Sequence, residues 1–148
     1  MGRTMAWRIE GRLNVIVHGT RAPTNLEWQR YVIDAVSTTA RADARVVVLS
    51  RGGSPDGFQR QTLMAALSGR VSPVALLTDK LIARTAIAAM SLFNPSMKAF
   101  PTTGLKEACE FLGLSPSERE RVGQVLVVLE KEVTESTLAQ APKRTETR

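Results

Sequence analysis

Two short apolar runs constrain the architecture of this chain more than any other feature. They are Arg45-Val46-Val47-Val48-Leu49-Ser50 and Val71-Ser72-Pro73-Val74-Ala75-Leu76-Leu77-Thr78. Each is too short for a buried helix and lacks the alternation of a strand with one wet face. Runs of this kind suit strands covered on both sides, as in parallel sheets. Between them lies a helix-period segment with Phe58, Leu63, Met64 and Leu67 on its apolar side. Strand, helix, strand in that order predicts a parallel pair joined by a crossover helix.

The flanking sequence extends the pattern. Trp7 and Ile9 alternate with Arg8 and Glu10, Gly11-Arg12 has turn character, and Leu13, Val15 and Val17 alternate with Asn14, Ile16 and His18. This predicts a hairpin over 5–18. Ile16 interrupts the polar set, so the second strand is expected to be covered on both faces. Thr24 or Asn25 can cap a helix carrying Leu26, Tyr31, Val32, Ala35 and Val36, running to about Thr39. For the helix after the 45–50 run, Ser54 reads as the cap, Pro55 as the first helical residue and Asp56 as a first-turn acid. Asp79 reads as the cap of an Ala-rich helix over about 80–93, ended by Asn94-Pro95.

Met97-Lys98-Ala99-Phe100 reads as a short edge strand, and Thr102 or Thr103 as the opening of a helix stopped by Gly113. Ser115 with Glu118 three residues on is a capping-box pattern. It opens a last helix to about Thr137, with Val122, Val125, Leu126, Leu129 and Val133 on one face. The predicted order is β-β-α-β-α-β-α-β-α-α, an α/β fold with a mixed, mostly parallel sheet of about five strands flanked by helices. The expected division is an α/β domain over 1–114, a C-terminal amphipathic helix over 115–138 packed on it or on a partner, and a frayed polar tail over 139–148.

Charge and composition narrow the function classes. The net charge is +6, but the excess is spread as single arginines with no run of three basic residues, and aromatic residues make up only 5% of the chain. A nucleic-acid face concentrates charge and adds stacking rings, so this distribution speaks against one. Cys109, the one cysteine, sits in an apolar-periodic segment beside Glu107 and Glu110 and reads as a small buried hydrophobe. A single thiol fits a reducing compartment, and no apolar stretch is long enough for a membrane span, so a cytoplasmic location is expected.

Three places could carry chemistry. The loop Ser50-Arg51-Gly52-Gly53-Ser54-Pro55-Asp56-Gly57 has glycines that allow close backbone approach, with an arginine beside them. It lacks both the Lys-Ser/Thr ending of a phosphate-binding P-loop and the spacing of a dinucleotide fingerprint. Thr78 and Asp79, with Arg84 one turn on, lie at a strand-to-helix junction, where ligands of parallel sheets tend to bind. His18 is the one histidine and reads as a surface or satisfied residue. One histidine and one cysteine fall short of a zinc ligand set, and no cofactor, metal or catalytic constellation is expected.

The stretch Val74-Ala75-Leu76-Leu77-Thr78-Asp79, the Ala-rich segment through Ala83-Arg84 and Ala89-Met90, Met97-Lys98-Ala99-Phe100 and Leu105 to Leu112 resemble the STAS fold in its SpoIIAA-like branch. These bacterial domains include anti-sigma-factor antagonists. The resemblance implies a non-catalytic regulatory or protein-interaction module. It also implies a partner-binding or phosphorylation loop at the start of the helix after the third strand, where Ser54 is the nearest equivalent. Antagonists carry Asp-Ser-Ser-Gly there, and this chain reads Gly52-Gly53-Ser54-Pro55-Asp56-Gly57 instead. Two alternatives stand beside a protein partner. The STAS fold is similar to the CRAL-TRIO lipid-transfer fold, which implies a carrier of a lipid, nucleotide or other small ligand in an apolar cavity lined by the helix over 80–93. The last helix could instead build a structural homodimer.

Overall fold

The computed structural model describes residues 2–39, 41–81, 85 and 96–139. The hairpin is β1 (Met5–Glu10) and β2 (Leu13–His18), paired antiparallel with Glu10 opposite Leu13. Gly11 turns the chain at a φ of 57°, a conformation that costs glycine little. Helix α1 (Asn25–Thr39) leads to β3 (Arg45–Ser50), α2 (Gly57–Leu67) to β4 (Val74–Leu77), and β5 (Met97–Phe100) follows. Helices α3 (Leu105–Phe111) and α4 (Pro116–Ala139) complete the described chain. The five strands lie in the order β1-β2-β3-β4-β5, and every pair after the hairpin is parallel. The fold is therefore the expected α/β architecture, with β5 at an edge.

Strands that follow one another across a parallel sheet receive their right-handed crossovers on one face. That face carries α1 and α2 over Ile16, Val46, Val48 and Val74. Alternation sends the other residues of the same strands to the opposite face. There Val15, Val17, Val47, Leu49, Ala75, Leu77 and Phe100 pack under Ala108 and Leu112 of α3 and the whole predicted stripe of α4. Val122 and Leu129 are fully buried, so α4 covers its own sheet.

The start of α4 is the expected capping box: Ser115 Oγ accepts from Glu118 N at 3.1 Å, and Ser115 N donates to the Glu118 carboxylate at 2.9 Å. Ion pairs fasten the helix to the hairpin. Arg12 grips Glu118 with two bonds of 2.8 Å, and Arg121 grips Glu10. Cys109 is buried among these residues, which pushes its thiol pKa up.

Four local expectations are corrected. Ser54 does not cap α2; Asp56 does, accepting from Gln59 N at 2.8 Å while Gln59 Oε1 accepts from Asp56 N at 2.9 Å. Gln59 is the one buried residue of α2, held by Pro23 O, Asn25 Oδ1 and Trp28 Nε1. Phe58 and Met64, expected on the apolar side, are 71% and 47% exposed. Leu26 is likewise exposed, and Trp28 takes its place beneath α1. Thr102 does not open α3, because Asp79 holds it and Gly104 is the cap. The cap of α1 is Thr24, through its bonds with Glu27.

Candidate functional site

Between α1, α2 and the sheet lies a cavity of about 580 Å³. Its size falls in the range of small-molecule sites, roughly 300–1,000 Å³. The floor is the strand rows Asn14–Val46–Val74–Met97, Ile16–Val48–Leu76 and His18–Ser50. Trp28, Tyr31 and Ala35 of α1 form one wall, and Leu63, Met64 and Leu67 of α2 another. The chain has two tryptophans and one tyrosine. All three cluster on this side: Trp7 meets Tyr31 edge-on at 5.7 Å, Tyr31 lies 5.3 Å from Trp28, and Trp28 stacks on His18 at 6.4 Å.

The floor carries polar groups that β2 has no choice but to bury. Asn14 and His18 alternate with Leu13, Val15 and Val17, so packing those under α4 turns Asn14 and His18 toward α1. Asn14 Nδ2 donates to the Tyr31 hydroxyl at 3.1 Å, while Asn14 Oδ1 and His18 Nδ1 have no hydrogen-bond partner among the described residues. The Tyr31 hydroxyl can donate or accept, so turning the Asn14 amide over only exchanges which end is left over. An unmatched buried polar atom costs about 1–3 kcal/mol, and both of these lie in the packed floor beneath the cavity. Burial lowers the His18 pKa to about 4 and raises that of Tyr31 to about 12. Both are uncharged at neutral pH.

The Ser50–Gly57 loop is the roof at the carboxyl ends of the strands. Ser50 is buried, donates to Gly53 O at 2.6 Å and accepts from Gly52 N at 3.0 Å. Gly53 N donates to Gly19 O at 2.9 Å, and a Cβ on Gly53 would stand 2.1 Å from Arg21 O. Its missing side chain thus serves a contact within the chain. Gly52 has a φ of 129° that side chains rarely adopt. Arg51 points away from the cavity to pair with Glu130 of α4. Ser54 lines the cavity with Gly53 and Pro55, and Asp56 is exposed as the cap.

The second candidate group does not join this site. Thr78 is fully buried, with its hydroxyl accepting from Lys80 N at 3.2 Å. The Asp79 carboxylate accepts from Thr102 N at 3.0 Å and from its hydroxyl at 2.6 Å, tying β4 to the turn before α3. Arg84 lies outside the described residues, as does most of the helix expected over 80–93.

His18 is the residue that sequence reasoning misplaced. The expectation of a surface or satisfied histidine fails because β2 is an interior strand, covered on both faces. The signal was present in Ile16, which had already marked that face as buried. His18 and Ser50 are opposite one another in register, yet the serine hydroxyl is engaged by its own loop. No group of three or more His, Cys, Asp or Glu among the described residues is placed to hold a metal ion. No described helix is long and apolar enough to cross a membrane. Comparisons with family models, curated proteins and solved structures return no match.

Proposed function

We propose that this protein is a non-catalytic binding module that takes a small, mostly apolar ligand into the cavity between α1, α2 and the sheet. The observation that carries this reading is an otherwise apolar space of about 580 Å³ whose floor includes the uncharged polar residues Asn14 and His18. Apolar walls supply affinity, and a few polar groups on the floor set orientation. The resemblance to STAS domains, and through them to CRAL-TRIO carriers, agrees with such a role. The lone buried Cys109 supports a reducing compartment, the cytoplasm. The test is binding of an environment-sensitive apolar dye, together with native mass spectrometry of protein from its own host. Wild type is expected to bind the dye and to carry a small bound mass, and Val48→Trp, which fills the middle of the floor, is expected to remove both. Absence of dye binding by a folded wild type would sink the reading.

A second reading, recognition of a regulatory protein partner, is favoured by one observation. Phe58 is 71% exposed beside the Ser50–Gly57 loop, on a helix that buries only Gln59. In a pull-down from host extract, Phe58→Ser would release a specific partner if this rim is the contact. An unchanged set of captured proteins would argue against it.

A further inference from the structure

The charged side chains that line the cavity are all of one sign. Arg3, Arg8, Arg12, Arg51 and Arg121 all pair with carboxylates across the hairpin and α4. Arg60 and Arg70 line the cavity, and neither has a carboxylate partner among the described residues. No Asp or Glu lines the cavity among those residues either. From 57 to 100 the sequence holds five basic side chains and one acid, Asp79, whose carboxylate is held by Thr102.

The two arginines sit at opposite ends. Arg60 is in the first turn of α2, at the carboxyl ends of the strands, where His18 and the Ser50 loop close the floor. Arg70 follows the helix, some ten residues on, about 15 Å away along its axis. Arg60 is half-buried, with Nη1 donating to Pro55 O at 2.7 Å, whereas Arg70 is exposed. A charge partly removed from water attracts an opposite charge more strongly than an exposed one. From His18 back to Asn14 the floor runs about 13 Å at the rise of a parallel strand.

We propose that the ligand is a single-chain anionic amphiphile, with its carboxylate or phosphate head held by Arg60 at the His18 end and its alkyl chain lying along Ile16, Val48 and Leu76. This rests on the cavity reading above and names the chemistry of its occupant. The guanidinium supplies charge-assisted hydrogen bonds to the head. A cationic head would meet Arg60 with no carboxylate nearby to compensate. An uncharged chain would gain nothing from either arginine.

The experiment compares dodecanoate, its methyl ester and dodecyl phosphate as ligands of the full chain, each measured by displacement of the apolar dye. At least one anion is expected to bind roughly tenfold more tightly than the ester, and the better of the two identifies the head group. Arg60→Gln is expected to abolish that preference while leaving the ester affinity unchanged. Arg70→Gln should change it less than about threefold, because its charge is exposed and screened. Should Arg60→Gln fail to fold, wild type at rising salt reports whether a charge holds the head (anion affinity falls and ester affinity does not), and retention of the preference in Arg70→Gln assigns that charge to Arg60. Ester and anions binding equally well, or an anion preference that disappears only with Arg70→Gln, would overturn the assignment of the head to Arg60 while leaving the cavity reading intact. Dye binding with none of the three amphiphiles displacing it would overturn the amphiphile alone. Failure of dye binding in wild type would remove the cavity reading and this proposal with it.

Discussion

The two faces of the sheet are built from the same strands and meet opposite fates. Under α3 and α4, alternate residues of β2, β3 and β4 close into an apolar layer, and Arg12, Arg51 and Arg121 around its rim are matched by glutamates. Under α1 and α2, the intervening residues floor a cavity, and among the described residues two polar atoms beneath it lack partners and the arginines at its ends lack carboxylates. A protein that needed only to fold could have filled the second face as it filled the first. The contrast indicates that the first face supplies stability and the second is kept for something else.

The sharpest way to break this comparison uses two neighbours on β4. Leu77 belongs to the closed layer and Leu76 to the cavity floor. Leu77→Ala is expected to cost about 3–5 kcal/mol, within the range for a fully buried leucine. Leu76→Ala is expected to cost about 1–2 kcal/mol, because part of its surroundings is already open space and fewer contacts are lost. Urea denaturation measures both, and equal losses would erase the distinction between the faces.

Acid separates the faces next. Burial holds the folded His18 pKa at about 4 against an ordinary 6.5. Between those values the unfolded chain binds a proton that the folded chain does not. Stability is therefore complete above pH 6.5 and declines as pH falls toward 4, by on the order of 3 kcal/mol. His18→Leu should flatten that limb and raise stability at neutral pH by about 1 kcal/mol, since it deletes an unmatched buried nitrogen. A pH titration of the urea midpoint reports both changes.

On the closed face, the Arg12 hydrogen bonds and the Ser115 cap hold the Glu118 pKa at about 2 against an ordinary 4.5. Its contribution is present above pH 4.5 and lost as pH falls toward 2. The pair is partly exposed, so Glu118→Gln should cost only about 1 kcal/mol at neutral pH and abolish the lower limb alone. Smallest of all, Phe58→Ser should change stability by less than about 0.5 kcal/mol, as the ring is in water. A larger loss in thermal melting would mean that α2 packs more tightly than described.

Most of the scaffold was legible because its signals are local. The apolar run 45–50 gives β3 to the residue, Gly113 ends α3 with a φ of 70°, and Ser115 with Glu118 opens α4. The α2 cap was misread because Ser54-Pro55 and Asp56-Gly57-Phe58-Gln59 are both valid openings. The choice between them is made by Gln59 reaching Pro23 and Asn25, contacts more than thirty residues away in sequence. The cavity was legible only as an idea. Its existence depends on how far α2 stands from β3 and β4, and no periodicity encodes that gap. The candidate loop stands out in the sequence, but its Ser50 hydroxyl, Gly53 and Arg51 are occupied within the chain, while nothing local sets Asn14, Tyr31, Arg60 and Arg70 apart from other strand and helix residues.

One feature of the closed face bears on how the protein is made. The hairpin's Leu13, Val15 and Val17 are roofed by Val122, Val125 and Leu129, and Arg12 is clasped by Glu118 more than a hundred positions downstream. A ribosome presents the hairpin long before it presents its roof. During that interval a greasy ribbon stands open to water. Synthesis rate, and any chaperone that shields the emerging amino-terminal segment, should therefore govern the yield of native protein more strongly than the final stability would suggest.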